Sequence, residues 1–241
     1  MKSYNKNYKP EQLINQRPIT QRASLRYNKK VNATCKILTG KKSSGTGFFC
    51  EIKINNKLMK VLFTNYHVLN NIKKNIKIEY NNEIKYININ NRFICQNEEL
   101  DYICIEIYNN DNIENYFKID KNINCINPYE EYRYDEFAMI EYPGGNGVAY
   151  ANGYINKIIN EQIYHSINTE QGSSGSPLLL DTRSLKVIGI HCGSAKDLNR
   201  GIFIKYILYD IKKQISNQSN FYYINNNNQL INDYHQQINI P

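Results

Sequence analysis

The chain has 241 residues, of which 41% are hydrophobic, and a formal net charge of +8. This length suits one large all-β unit or two small domains, and it is sufficient to bury a hydrophobic core. No apolar run approaches the length of a membrane span and the N-terminus has no apolar signal region, which argues against a helical membrane protein and favours a soluble, cytoplasmic one.

The positive charge is concentrated at the N-terminus. Residues 1–30 contain eight Lys or Arg and one Glu, so this segment holds +7 of the net charge of +8. We expect residues 1–30 to form a disordered, solvated leader; contact with an anionic partner (RNA, anionic lipid or an organelle import receptor) is the alternative interpretation. Residues 217–241 are rich in Asn and Gln and are predicted to form a loose tail.

The cysteines and histidines do not form a recognisable metal or disulfide pattern. Six cysteines occur without paired spacing, which in the absence of a signal region favours free thiols in a reducing compartment. The sequence contains no Cys-x-x-Cys or His-Glu-x-x-His motif, and its four histidines lie far apart. We therefore expect no metal site and no cofactor.

Short alternating segments separated by turn residues dominate residues 31–205. Asn55-Asn56 and Asn81-Asn82 are predicted hairpin turns between such segments. Residues 108–134 are polar and are predicted to link two β-rich halves. Apolar residues recur at helical spacing in residues 206–216, which predicts a C-terminal helix.

The segment 170–180 carries the strongest chemical signal. It reads Glu-Gln-Gly-Ser-Ser-Gly-Ser-Pro-Leu-Leu-Leu, which predicts a tight turn followed at once by a buried strand. Such a turn can direct one hydroxyl and several backbone N–H groups at the same point, as an acyl-transfer nucleophile and its oxyanion hole require. A polar loop that merely precedes a strand is the alternative.

The hexapeptide at 172–177 resembles the Gly-Asp-Ser-Gly-Gly-Pro nucleophile loop of the trypsin-like (chymotrypsin-fold) serine proteases. The resemblance implies that Ser174 is the nucleophile and that the amides of Gly172 and Ser174 form the oxyanion hole. Thr-Asn-Tyr-His-Val at 64–68 and Gly-Thr-Gly-Phe-Phe at 45–49 resemble the segment around the catalytic histidine and the strand before it in the bacterial-type branch. They imply that His67 is the general base, a role that suits imidazole at neutral pH.

An acid that opens an apolar strand completes the predicted triad. Leu-Asp-Tyr-Ile at 100–103 resembles the corresponding family stretch and implies Asp101, although Glu98 or Glu99 could be confused with it. The order His67, Asp101, Ser174 is that of the chymotrypsin class, whereas subtilisin and the α/β-hydrolases use other orders. A lipase or esterase is disfavoured for the same reason.

The resemblance implies an all-β fold of two six-stranded antiparallel β-barrels with the site between them and a C-terminal helix. The protease domain is then 31–216, with a first barrel at about 31–115, a second at about 135–205 and the helix at 206–216. The function implied is a serine endopeptidase acting on a protein or peptide substrate. The alternative is a catalytically inactive barrel pair that binds peptide or nucleic acid, and the oligomeric state is not predicted.

Val187–Gly193 resembles the strand that lines the S1 pocket, and its closest resemblance is to the glutamyl endopeptidases. That branch uses a His and a Thr to hold an acidic substrate side chain, which implies His191 and Thr169; Gly193 lies on the same wall. Asn168 stands where trypsin needs an acid. We therefore expect a preference for Glu or Asp at P1, with simple packing of His191 as the alternative.

Two features depart from the digestive members of the family. Ser173 replaces the Asp that pairs with a newly cut N-terminus, and the chain lacks the Ile-Val-Gly-Gly start. We therefore expect no activation by a cleavage of that kind.

Overall fold

The computed structural model describes residues 20–40, 44–69 and 74–216. Within them the α-helices are α1 (Gln21–Asn28), α2 (Tyr66–Leu69), α3 (Pro128–Tyr132) and α4 (residues 204–216). The strands of the first half are β1 (Thr34–Leu38), β2 (Ser44–Ile54), β3 (Lys57–Thr64), β4 (Asn75–Tyr80), β5 (Glu83–Asn88), β6 (Ile94–Asn97) and β7 (Tyr102–Glu106). Those that follow are β8 (Phe117–Ile119), β9 (Glu136–Glu141), β10 (Ala149–Ile159), β11 (Gln162–His165), β12 (Pro177–Leu180), β13 (Lys186–Ala195) and β14 (Leu198–Phe203).

The first half is an antiparallel sheet of seven strands in the order β5-β4-β1-β2-β3-β7-β6. Two of its hairpins turn at the predicted Asn pairs. Asn55 and Asn56 have φ values of 48° and 65°, and Asn81 and Asn82 have 52° and 62°. Asn tolerates this left-handed conformation, which tight two-residue hairpins require.

The second half is a closed barrel of six antiparallel strands. Its order is β9-β10-β11-β14-β13-β12, and β12 pairs back to β9 to close the ring. The expectation of an all-β, two-barrel architecture with a C-terminal helix is therefore confirmed, with a seven-stranded first half where six strands were expected. The seventh strand, β6, lies in a segment that the sequence analysis did not identify as a strand.

The two halves are joined by β8, which lies within the segment predicted to be a linker. Phe117 pairs with Cys50 of β2, and Ile119 pairs with Val187 of β13, both in parallel. Three residues are too few for a periodic signal, so this strand was not predicted. As a result, the hydrogen-bonded sheet runs continuously from one half into the other.

The hydrophobic core follows the same division. Phe49 and Leu62 face the interior of the first half, whereas Phe48 and Phe63, one position along each strand, face a larger cluster shared with the second barrel. Neighbouring strand residues point to opposite faces, so β2 and β3 are buried on both sides. This explains why the sequence there is apolar in runs rather than in strict alternation.

Helix α1 lies within the predicted disordered leader, so that expectation does not hold for its last ten residues. Thr20 caps the helix by accepting a hydrogen bond from Ala23 N at 3.2 Å, which is a favoured N-cap arrangement. Tyr27 is fully buried, and its hydroxyl donates to Asp181 at 2.9 Å beside an Arg26–Asp181 ion pair at 2.8 Å. Residues 1–19 and the predicted tail at 217–241 lie outside the described residues.

Helix α4 begins two residues before the predicted helix, at residue 204. Ile204, Ile207 and Ile211 are fully buried in the shared cluster. On its other side, Asp210 accepts a hydrogen bond from Tyr102 of β7 at 2.7 Å. The helix therefore ties down both halves rather than the second barrel alone.

Two further observations concern the cysteines and the helices. All six cysteines are free thiols, and five of them are buried. In the described parts of the chain, no helix has the length and apolarity needed to cross a bilayer.

Candidate active site

The predicted base and acid of the triad meet at the edge of the first half. His67 lies in α2, the single helical turn that follows β3. Its Nδ1 lies 2.8 Å and 3.0 Å from the two carboxylate oxygens of Asp101, and its backbone N–H donates to Asp101 Oδ1 at 3.0 Å. The His67 side chain is 49% exposed and that of Asp101 is 18% exposed, so the imidazole is open to solvent while the carboxylate is more buried.

The structure also separates Asp101 from its two acidic neighbours. Glu98 and Glu99 are exposed, whereas Asp101 turns back at φ 48° with its N–H bonded to the Glu98 carbonyl at 3.1 Å. Asp is one of the few residues that adopts this left-handed conformation readily. The turn directs the Asp101 carboxylate at His67.

Asn65 and Cys192 support this pair, and sequence reasoning missed both. Asn65 is fully buried; its amide donates to the Asp101 carbonyl at 2.8 Å and contacts Cys192 Sγ at 3.2 Å. Burial, followed by the charge of Asp101, raises the pKa of the Cys192 thiol to about 12. Cys192 is therefore a neutral, structural thiol at the junction of the two halves.

The backbone N–H groups of the loop at 172–177 differ in whether they are hydrogen-bonded. Ser173 N–H donates to the Glu170 carbonyl at 3.0 Å, Gly175 N–H to the His191 carbonyl at 2.9 Å, and Ser176 N–H to the Ser173 carbonyl at 3.1 Å. In the described part of the chain, the N–H groups of Gly172 and Ser174 have no acceptor. Two amides on either side of Ser173 are thus available to an external oxygen.

Both glycines of the loop are required by its geometry. Gly172 has φ +99° and Gly175 has φ +90°, and a Cβ at Gly175 would lie 2.0 Å from the Thr46 carbonyl oxygen. Only glycine fits this conformation and this close approach. A side chain at Gly175 would push the loop away from the first half.

Ser174 lies beside the segment that carries His67. Its carbonyl accepts a hydrogen bond from Thr46 N–H at 2.8 Å. A Cβ built at Gly45 would lie 3.3 Å from this carbonyl and 2.7 Å from the side chain of Val68, the residue after His67. Gly45 therefore lets the nucleophile loop and α2 approach each other closely.

The predicted S1 residues cluster around β13. His191 is 2% exposed, and its backbone pairs with the nucleophile loop through Gly175 N–H and Ser176 O. Its Nδ1 lies 3.2 Å from Nε2 of His165, a fully buried residue that sequence reasoning did not select. Burial, followed by the charges of His67 and Arg200, lowers the pKa of His191 to about 4, so the ring is neutral at pH 7.

The other predicted S1 residues differ in exposure. Thr169 and Gly193 are half-buried, whereas Asn168 is exposed. Gly193 has φ 143°, and a Cβ there would meet open space. Beyond His191, the edge of β13 opposite β14 pairs with no strand among the described residues, which leaves it open to an extended peptide.

Ser173, the position that departs from the digestive enzymes, is fully buried under the loop. Its hydroxyl accepts a hydrogen bond from Glu170 N–H at 3.1 Å. It also lies next to Glu141, a buried acid at the end of β9. A local contact therefore holds this position, which in the digestive enzymes pairs with a distant N-terminus.

The sequence matches no protein-family model and no curated protein. The structure, however, is similar to solved proteases. A protease of M. tuberculosis in its active form has a TM-score of 0.59 at 16% identity, covering 77% of this chain and 82% of that one. A serine endoprotease of Yersinia pestis gives 0.58 at 18% identity, covering 79% of this chain and 66% of the other.

A Glu endopeptidase gives a TM-score of 0.54 at 17% identity, covering 74% of this chain and 90% of that one. At these identities the likeness bears on the fold rather than on the activity. The closed second barrel, the antiparallel first half and the packed C-terminal helix all agree with it. This chain has the chymotrypsin-like fold of the trypsin-like serine proteases.

Proposed function

We propose that this protein is a serine endopeptidase that cleaves peptide bonds through an acyl-enzyme on Ser174. One observation carries the proposal: the segment that holds an imidazole oriented by a carboxylate lies beside a loop in which two amides, one of them that of Ser174 itself, have no acceptor among the described residues. A base, an orienting acid and an oxyanion site near one hydroxyl are the components of acyl transfer.

In this mechanism Ser174 Oγ attacks the scissile carbonyl while His67 Nε2 takes its proton. The amides of Gly172 and Ser174 donate to the oxygen that becomes negative, which stabilises the tetrahedral intermediate. His67 then returns the proton to the leaving amine, and the acyl-enzyme forms. Water, activated by the same imidazole, hydrolyses the acyl-enzyme and restores Ser174.

Asp101 sets the tautomer of the base. Because its carboxylate accepts from both the backbone N–H and Nδ1–H of His67, the proton is held on Nδ1 and Nε2 is left as the acceptor. The same carboxylate stabilises the imidazolium that forms during the reaction.

The direct test is labelling with a serine-directed fluorophosphonate. We expect the wild-type protein to form a covalent adduct on Ser174 and Ser174→Ala to form none while it keeps the same circular dichroism spectrum. Because the probe needs no particular P1 residue, it reports on the triad alone. A folded wild-type protein that does not react would contradict the proposal and favour a non-catalytic, peptide-binding barrel pair.

We further propose that the S1 pocket prefers an acidic side chain. His191 Nδ1 faces His165, so its Nε2 is the ring atom left for a ligand. If the shared proton lies on His165, Nε2 of His191 carries a hydrogen and donates to a substrate carboxylate. The Thr169 hydroxyl is a second donor in the family pattern.

A peptide library that varies only P1 tests this preference. Glu and Gln side chains have the same shape and differ in charge, so comparing them isolates the effect of the charge. Cleavage after Glu is expected to be faster than cleavage after Gln. His191→Ala is expected to reduce cleavage after Glu while fluorophosphonate labelling persists. Equal rates after Glu and Gln in a protein that labels normally would contradict the preference and leave the peptidase proposal intact.

A further inference from the structure

Thr46 has a set of contacts that the proposed mechanism does not use. It is fully buried, it lies in β2 of the first half, and all of its polar atoms are hydrogen-bonded. We propose that Thr46 is a positioning residue that holds the oxyanion-binding amides of the nucleophile loop in place. This inference rests on the proposed peptidase function.

The Thr46 hydroxyl connects two segments of the second half. Its Oγ1 donates to the Gly172 carbonyl at 2.9 Å and accepts from Tyr142 N–H at 3.1 Å. A hydroxyl has one hydrogen to donate, so both roles are defined. The loop and the end of β9 are thereby fixed to one point on the first half.

The Thr46 backbone fixes a third point. Its N–H donates to the Ser174 carbonyl at 2.8 Å. Its own carbonyl accepts from the Thr64 hydroxyl at 2.7 Å and forms the surface on which Gly175 packs. Thr46 is therefore fixed to β3 through Thr64, and it is hydrogen-bonded to the loop through Gly172 and Ser174.

These bonds matter because a peptide unit is a rigid plane. Four planes run from Gln171 to Gly175, and each has its carbonyl anchored once: Gln171 by Gly144 N–H, Gly172 by the Thr46 hydroxyl, Ser173 by Ser176 N–H and Ser174 by Thr46 N–H. Thr46 supplies two of the four anchors. These two planes alternate with the two that carry the Gly172 and Ser174 amides, so each donor plane lies next to a plane that Thr46 anchors.

The anchor on Gly172 is the one that a side-chain substitution can remove. Glycine at φ +99° can reorient at low cost, so rotation of the 172–173 plane is opposed by two hydrogen bonds: this one, and that of Ser173 N–H to the Glu170 carbonyl at 3.0 Å. Rotation would shift the neighbouring amides from the positions that the oxyanion needs. Since that oxygen is negative only in the transition state, the loss should appear in kcat rather than in KM.

The test compares Thr46→Val, which keeps the shape but loses the hydroxyl, with Thr46→Ser, which keeps the hydroxyl. Loss of one oxyanion donor typically costs about 10²–10³ in kcat, so we expect a misdirected donor in Thr46→Val to lower kcat and the labelling rate by about 10–100-fold, with KM within about threefold. Thr46→Ser is expected to restore most of the rate.

Thr34→Val is the matched control. Thr34 is also buried, at 1% exposure; its hydroxyl donates to the Val31 carbonyl at 2.7 Å and its side chain contacts that of Tyr142, but among the described residues it makes no hydrogen bond to residues 172–177. Loss of the Thr34 hydroxyl should lower the free energy of unfolding by about 1 kcal/mol, while the labelling rate stays at the wild-type value. Thr46→Ala, assayed at low temperature, provides a second hydroxyl-free variant if Thr46→Val does not fold.

Three results would overturn the inference. Thr46→Val or Thr46→Ala could label as fast as the wild type, Thr46→Ser could be as impaired as Thr46→Val, or Thr34→Val could lose the same rate. Each would leave the peptidase proposal standing, because the wild type would still label on Ser174. A wild-type protein that does not label overturns both.

Discussion

At the scale of single residues, Glu141 is expected to make the stability of the protein depend on pH. Its side chain lies under the nucleophile loop at 3% exposure, and its Oε2 has no hydrogen-bond partner in the described part of the chain. Burial is the main cause that raises its pKa from 4.5 to about 7; the charge of Glu170 raises it further and the Ser173 hydroxyl lowers it. A charged Glu141 is thus disfavoured directly beneath the catalytic loop.

The sign of the resulting pH dependence follows from proton binding. Between pH 4.5 and 7 the folded protein holds a proton on Glu141 that the unfolded chain has released, so the contribution of Glu141 to stability falls as the pH rises. Raising this pKa from 4.5 to about 7 corresponds to about 3 kcal/mol. We expect Glu141→Gln to be more stable than the wild type at pH 8 by up to this amount and equal to it near pH 4.5.

Denaturant unfolding at several pH values measures this difference. His191 and the buried His165 act in the opposite direction, since their lowered pKa values destabilise the folded state as the pH falls below 6.5. Both are present in the wild type and in Glu141→Gln, so subtraction removes them. A stability difference that stays constant from pH 5 to 8 would show that Glu141 does not titrate in this way.

The sequence predicted the site at this scale in part. His67 and Asp101 lie in local motifs, and the structure places them within hydrogen-bonding distance. The sequence could not identify Asn65, Thr46 and His165 in the same way. The role of a buried polar residue becomes clear only when its hydrogen-bond partner is known, and these partners lie far along the chain. Thr46, for example, bonds to Gly172, 126 positions away.

At the scale of elements, local chemistry decided what could be predicted. The Asn55-Asn56 and Asn81-Asn82 turns followed from residue preference alone. Helix α1 was missed because its Lys- and Arg-rich surroundings indicate a solvated segment, although Thr20 is an N-cap and Tyr27 is a core residue. Basic residues can occupy the exposed face of a helix while its opposite face is buried, so a basic composition does not exclude a packed helix.

Strand β8 shows the opposite limit. Phe-Lys-Ile has no periodicity to detect, and its place is fixed by neighbours on both sides, at Cys50 and Val187. Pairing between strands from distant parts of the chain cannot be inferred from the strands themselves. The same holds for the β9–β12 pairing that closes the second barrel.

At the scale of the whole molecule, the shared core makes the two halves interdependent. Residues of the first half such as Phe48 and Phe63 belong to the same buried cluster as β9, β13 and α4. The proposed catalytic groups are divided in the same manner, with His67 and Asp101 on one half and Ser174 on the other. Any loss of packing between the halves would therefore separate His67, the proposed base, from Ser174, the proposed nucleophile.

Phe117 tests this interdependence because it lies in the strand that joins the halves. It is fully buried and contacts Phe48 with ring centroids 6.3 Å apart. Phe117→Ala is expected to lower the free energy of unfolding by about 3–5 kcal/mol. Lys118→Ala, in the same strand with a side chain that is 68% exposed, should change it by less than about 0.5 kcal/mol.

The decisive measurement follows two signals in one denaturant titration: far-ultraviolet circular dichroism for the barrels, and the fluorophosphonate labelling rate for the assembled site. If the shared core couples the halves, both signals change at the same denaturant concentration in the wild type, and both midpoints fall together in Phe117→Ala. Labelling that disappears well before the circular dichroism signal would mean that the halves come apart while each barrel stays folded. In that case the shared core would not couple the two halves.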